Sequence, residues 1–156
     1  MRVTFYGVRG SVPAPGPTTA RYGGNTSCVE VLLEDGTTLV LDAGTGMRAL
    51  GAKLLESGRH EKVHLLLSHT HWDHVLGLPF FAPLWRKDSE IRVYPLPTDA
   101  QERFQRTILD DVHFPASVND IPVGHHVTFG NIIGGSAAED TFHADVVLIW
   151  HSNPAY

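Results

Sequence analysis

Polar and apolar positions alternate through Arg2-Val3-Thr4-Phe5-Tyr6, a period of two that predicts an opening strand. Ser27 to Glu34 and Thr37 to Leu41 read as two more strands, and the Asp35-Gly36 pair between them is a hairpin signal. The period then changes. Met47, Leu50, Leu54 and Leu55 recur at helical spacing, so Thr45 to Ser57 is expected as an amphipathic helix stopped by Gly58. Val63 to Leu67 is a short apolar run of the kind that forms a buried strand. Val75-Leu76-Gly77-Leu78 reads as the start of a further helix with Asp73 capping it, and Pro79 and Pro83 keep that helix short. Ile91 to Tyr94 is a strand, and Asp99 to Leu109 a helix with Phe104 and Ile108 four apart on one face. Ala144 to Trp150 is a last buried strand. Strands alternating with helices in this way specify an α/β chain.

Between the elements, Ser11 to Pro17 carries three prolines in five positions. That loop is stiff and extended, either a surface connector or a wall of a binding pocket. Asp42 stands at a strand end before Ala43-Gly44-Thr45-Gly46. The glycine spacing there lacks the third glycine of a dinucleotide fingerprint and the lysine of a Walker loop.

Composition narrows the class. A chain of 156 residues with 42% apolar and 19% charged residues describes an ordinary globular domain. No apolar stretch has the length of a membrane span, and the N-terminus lacks a secretory pattern. The single cysteine, Cys28, has no internal partner for a disulfide, so a cytoplasmic setting is expected, with Cys28 as a small apolar filler. A net charge of −5 argues against bulk electrostatic binding of nucleic acid, but leaves room for a small-molecule or nucleotide phosphodiester.

The chemistry concentrates in Ser68-His69-Thr70-His71-Trp72-Asp73-His74. Three histidines and a carboxylate occupy six positions at the end of a buried strand. His69 and His71 are two apart and project to one side in extended geometry. Asp73 and His74 follow a bend and face a second point nearby. Imidazole with carboxylate is the donor set of zinc, iron(II) and manganese rather than calcium or magnesium. The other histidines say less. His60 reads as a surface residue and His64 as a strand residue. His113 is a structural or surface residue, or one that reaches the pocket. Of the adjacent His125 and His126, one at most could serve a site.

His69-Thr70-His71-Trp72-Asp73-His74 resembles the His-x-His-x-Asp-His signature of the metallo-β-lactamase-fold hydrolases. The likeness continues through Val8-Arg9-Gly10-Ser11, Tyr22 to Cys28, Leu41 to Gly46 and Gly77 to Phe81, and is closest to the phosphodiesterase and ribonuclease Z branch. It implies a metallo-β-lactamase-type αββα sandwich, here incomplete, with the N-terminal half in residues 1–128. It implies two Zn2+ ions (or Mn2+ or Fe2+), the first held by His69 and His71, the second by Asp73 and His74. Asp73 would also orient a metal-activated hydroxide, making it the catalytic residue. Asp42 would support the cluster from behind, because a ligating histidine needs its other ring nitrogen held by an acceptor.

Further ligands that the family takes from a longer chain have no clear place here. Residues 129–156 form an atypical tail, and its Ala144-Asp145-Val146-Val147-Leu148-Ile149-Trp150-His151-Ser152-Asn153-Pro154-Ala155-Tyr156 run resembles a segment of molybdopterin-dependent oxidoreductases. The reading that follows is a metal-dependent phosphodiesterase. Its rivals are a thioester hydrolase of the same fold and a truncated, non-catalytic metal-binding fragment. Half of a layered fold also leaves an apolar face open, so either marginal stability or a homodimer through that face is expected.

Overall fold

The computed structural model describes residues 1–94, 114–115 and the backbone of 126–129. One six-stranded sheet carries the other elements. Its strands run β1 (Arg2–Gly7), β2 (Cys28–Leu32), β3 (Thr38–Leu41), β4 (Lys62–Leu66), β5 (Glu90–Tyr94) and β6 (His126–Phe129), in spatial order 1-2-3-4-5-6. The β1–β2 and β2–β3 pairings are antiparallel, and from β3 onward every pairing is parallel. A hairpin suffices for β2 and β3, and Leu33 N–H bonds Thr37 O across the Asp35-Gly36 turn. Parallel strands need a crossover, supplied between β3 and β4 by helix α1 (Met47–Glu56).

Among the described residues the crossover elements pack on one sheet face. Val40, Val63, Leu65, Ile91 and Val93 point from the strands into a core closed by Met47, Leu50 and Leu54 of α1 and by Leu78, Phe81 and Leu84. Each such side chain contributes about 1.5–3 kcal/mol over its exposed state. The strands' alternate residues form a second cluster on the opposite face, with Val29, Val31 and Leu41 at its centre. The edge strand β1 extends that face with Val3 and Phe5, which pair with Val31 and Val29 and are 46% and 67% exposed.

One buried ion pair interrupts the apolar face of the main core. Glu30 of β2, only 1% exposed, accepts from Arg59 Nη1 at 2.6 Å and from the Tyr6 hydroxyl at 3.4 Å. Cys28 is fully buried, as its apolar role requires, and burial pushes its thiol pKa well up.

Several expectations shift. The first helix starts at Met47 rather than Thr45, because Thr45 is occupied elsewhere. Its hydroxyl accepts from Thr26 N–H at 2.9 Å and its own N–H donates to Thr26 Oγ1 at 2.8 Å. The helix ends at Glu56, and Gly58 takes the left-handed conformation (φ 69°). The helix after the cluster is a single turn, α2 (Trp72–Val75), followed by 3-10 turns at Leu78–Phe80 and Ala82–Trp85. Asp73 does not cap it. His71 is the N-cap residue, without a side-chain cap bond, and the Asp73 carboxylate is taken by a distant loop. His60 is not a surface residue either, being half-buried with Nε2 3.3 Å from Asp88 and its Nδ1 buried without a partner among the described residues. Phe114 packs on Phe80 and Trp85. The expected helix at 99–109, His113, His125, the strand at 144–150 and the tail beyond Phe129 lie outside the described residues. Among the described residues no helix is long and apolar enough to cross a membrane.

Candidate metal centre

β3 and β4 are parallel neighbours, with Leu41 opposite Leu66, so their C-terminal ends deliver the next residues of both strands to one place. From β3 comes Asp42, fully buried and in the left-handed region (φ 62°), which turns its carboxylate across the end of the sheet. From β4 come Ser68 and His69. Asp42 accepts from Ser68 N–H at 2.8 Å, from the Ser68 hydroxyl at 2.8 and 3.0 Å, and from the Ser27 hydroxyl at 3.2 Å. Its Oδ2 also lies 2.7 Å from His74 Nδ1.

The turn carrying His71, Asp73 and His74 is docked by backbone as well as by these side chains. Ala43 N–H donates to His74 O at 2.7 Å and Gly77 N–H to Ala43 O at 2.8 Å. The approach is so close that a Cβ on Gly77 would stand 1.9 Å from Gly44 O. Only glycine permits it.

The structure brings the five candidate residues together. The His69 ring centroid is 4.5 Å from that of His71 and 4.0 Å from that of His74. Asp73 Oδ2 sits 3.4 Å from His74 Nε2 and accepts from Ser11 N–H at 2.8 Å. Ser11 itself is in the left-handed region (φ 69°). The proline-rich loop is thereby tied to the cluster, which favours its reading as a wall of the site.

Electrostatics divide the rings. Burial, reinforced by the neighbouring His74 and His71, holds His69 below the ordinary imidazole pKa and so favours its neutral, electron-pair-donating form. Burial opposes charge on His74 as well, but the hydrogen bond and charge of Asp42, with Asp73 beside it, outweigh burial and raise its pKa.

A divalent metal finds suitable donors here. The Nδ1 atoms of His69 and His74 are both engaged from behind, by Ser68 and Asp42, and Asp73 offers a carboxylate. In donor chemistry the residues fit zinc or a similar ion. In convergence they fall short of a full set, since among the described residues no three such donors are arranged to hold one ion. Ser68, Ser27 and Ser11 escaped the sequence reading. Ser68 left one signal, a hydroxyl directly before the first histidine of the cluster.

Comparison with known proteins places this geometry in a family. The family model described as the Metallo-beta-lactamase superfamily matches residues 21–152. Ribonuclease Z of Haloarcula marismortui is 33% identical over 130 residues, which cover 80% of this chain and 38% of that protein. Ribonuclease Z of Haloferax volcanii is 36% identical over 80 residues, covering 51% and 22%. Among solved structures, a diphosphatase described as belonging to the PhnP family superposes with a TM-score of 0.51 at 19% identity, over 83% of this chain and 50% of that one. The chain thus spans less than two fifths of the length of these curated relatives and half of that structure. An α/β sheet with crossovers on one face, a His-x-His-x-Asp-His turn at its strand ends and a model match over most of its length have one joint reading: the chain belongs to the metallo-beta-lactamase superfamily.

Proposed function

We propose that this chain carries the metal-binding part of a phosphodiester hydrolase. His69 and His71 would hold one divalent cation, and Asp73 and His74 a second, with zinc the first choice and manganese or iron(II) the others. The observation that carries the reading is the 2.7 Å contact between Asp42 and His74 Nδ1, which leaves His74 Nε2 facing Asp73 beside the other two rings. When bound, such ions supply Lewis acidity and draw a nucleophile from water at neutral pH. The protein's own groups do the positioning. Asp42 sets the orientation of His74, and Asp73, held by Ser11 N–H, orients the attacking water. The chemistry lies within residues 1–128, and no role is assigned to 129–156.

A phosphodiester is favoured because the curated relatives are named ribonuclease Z and the structural neighbour is called a diphosphatase. That places RNA beside small nucleotide phosphodiesters among the substrates to try, and weakens the expectation from net charge that nucleic acid is excluded. A chromogenic phosphodiester and a short RNA, each with added zinc or manganese, test this. Turnover should appear with about two metal equivalents bound, and His69→Ala or Asp73→Asn should abolish it. Activity that survives both substitutions removes the cluster from the mechanism.

The second reading is a metal-binding fragment that turns nothing over. It is favoured by the lack of three converging donors among the described residues and by the 38% coverage of the first relative. One metal equivalent or fewer, with no turnover, would select it. The exposed Val3 and Phe5 of β1 favour a homodimer, and size-exclusion chromatography showing only monomer would dismiss it.

A further inference from the structure

We propose that Ser68 is a positioning residue that lets one buried carboxylate set the tautomers of two imidazoles, that of His74 directly and that of His69 through its own hydroxyl. The inference rests on the metal-site reading, because it says which ring nitrogens face the ion. The argument is a count of protons and lone pairs. A carboxylate accepts only, with about four lone-pair positions. Asp42, fully buried, meets four donors: Ser68 N–H, Ser68 O–H, Ser27 O–H and His74 Nδ1–H. Its capacity is filled. The Ser68 hydroxyl has one proton, and that proton is spent on Asp42 at 2.8 Å.

What remains on Ser68 Oγ is acceptor capacity, and His69 Nδ1 stands 3.0 Å from it. His69 therefore carries its proton on Nδ1 and keeps the Nε2 lone pair free. His74, with Nδ1 3.3 Å from the same oxygen and 2.7 Å from Asp42, is set in the same tautomer without needing Ser68. Burial of Ser68 to 4% exposure keeps water from substituting for the hydroxyl. In an unconstrained neutral histidine side chain the Nε2–H tautomer is the commoner one, so the arrangement works against His69's intrinsic preference.

The test uses the metal-free chain, labelled with 15N at histidine, and reads the tautomer of each ring by long-range proton–nitrogen correlation. Wild type should show Nδ1–H at both His69 and His74. Ser68→Ala should turn His69 to Nε2–H and leave His74 unchanged, while Ser68→Thr, which restores the hydroxyl, should return His69 to the wild-type form. Zinc affinity, measured by competition with a chromophoric chelator, should fall roughly tenfold in Ser68→Ala and recover in Ser68→Thr. A wild-type His69 already in the Nε2–H form, or a Ser68→Ala protein with unchanged tautomer and affinity, overturns the relay. If the tautomers follow this pattern but no phosphodiester is cleaved, the hydrolase reading fails and the relay stands.

Discussion

Gly77→Ala is a one-methyl change that should detach the histidine-rich turn from the sheet. An added Cβ would lie 1.9 Å from Gly44 O, 2.7 Å from Gly44 C and 2.9 Å from Ala43 O, all backbone atoms that cannot swing aside. Restoring an ordinary contact near 3.4 Å requires the two segments to part by about 1.5 Å. That movement breaks the hydrogen bonds from Gly77 N–H to Ala43 O and from Ala43 N–H to His74 O, now 2.8 and 2.7 Å. Each buried donor or acceptor left unpaired costs roughly 1–3 kcal/mol. Two such bonds put the loss at about 2–6 kcal/mol, a large share of the roughly 5–15 kcal/mol typical of a domain. Urea unfolding followed by circular dichroism reads it as a lower midpoint, and 15N spectra should show His74 released from Asp42. A Gly77→Ala protein with an unchanged urea midpoint and an unchanged His74 signal would refute the reasoning. The backbone contact would then be slack.

Other consequences are as direct. Arg59→Met leaves the Glu30 carboxylate buried without its cation and should cost about 3–5 kcal/mol in urea unfolding. The double change Glu30→Leu with Arg59→Met should recover most of that loss, and equal losses in single and double variants would count against the pair. His64 is held below its ordinary pKa of 6.5 by burial and by Lys62 and Arg92, with Tyr94 Oη 2.9 Å from its Nδ1 and Glu90 opposing. Because the folded pKa is depressed, His64 should contribute nothing to pH dependence above 6.5 and should destabilise the fold as pH falls below it. His64→Phe should flatten that part of a stability–pH profile. Finally, Cys28, buried and with its thiol pKa raised, should react with a disulfide reagent only on unfolding. Prompt labelling of the native chain would contradict its place in the core.

The patterned parts of the chain were legible because their signals are local. Alternation in Arg2 to Tyr6 marked β1, and the spacing of Met47, Leu50 and Leu54 marked α1 with its buried face. The apolar run before Ser68 marked β4. Grouping of His69, His71, Asp73 and His74 followed from their nearness in sequence. What escaped depends on partners far along the chain. Asp73 looked like a helix cap because local rules place an acidic residue there, yet its carboxylate is claimed by Ser11, 62 positions earlier. Ser68 and Ser27 acquire meaning only once β3 and β4 lie side by side and bring Asp42 between them. His60 looked like a surface residue because nothing near it in sequence announces Asp88.

The bond from Ser11 N–H to Asp73 gives the cluster an indicator of its own. On the proposed metal-site reading, a carboxylate that turns toward an arriving cation loosens or polarises its hold on that amide, so occupancy would be written into a backbone proton of the proline-rich loop. Titrating the ion while watching the Ser11 resonance would therefore follow filling at Asp73 separately from events at His69 and His71. The same linkage runs in reverse. Whatever grips or displaces that loop, a bound substrate included, alters how readily Asp73 can give up its amide and accept a metal.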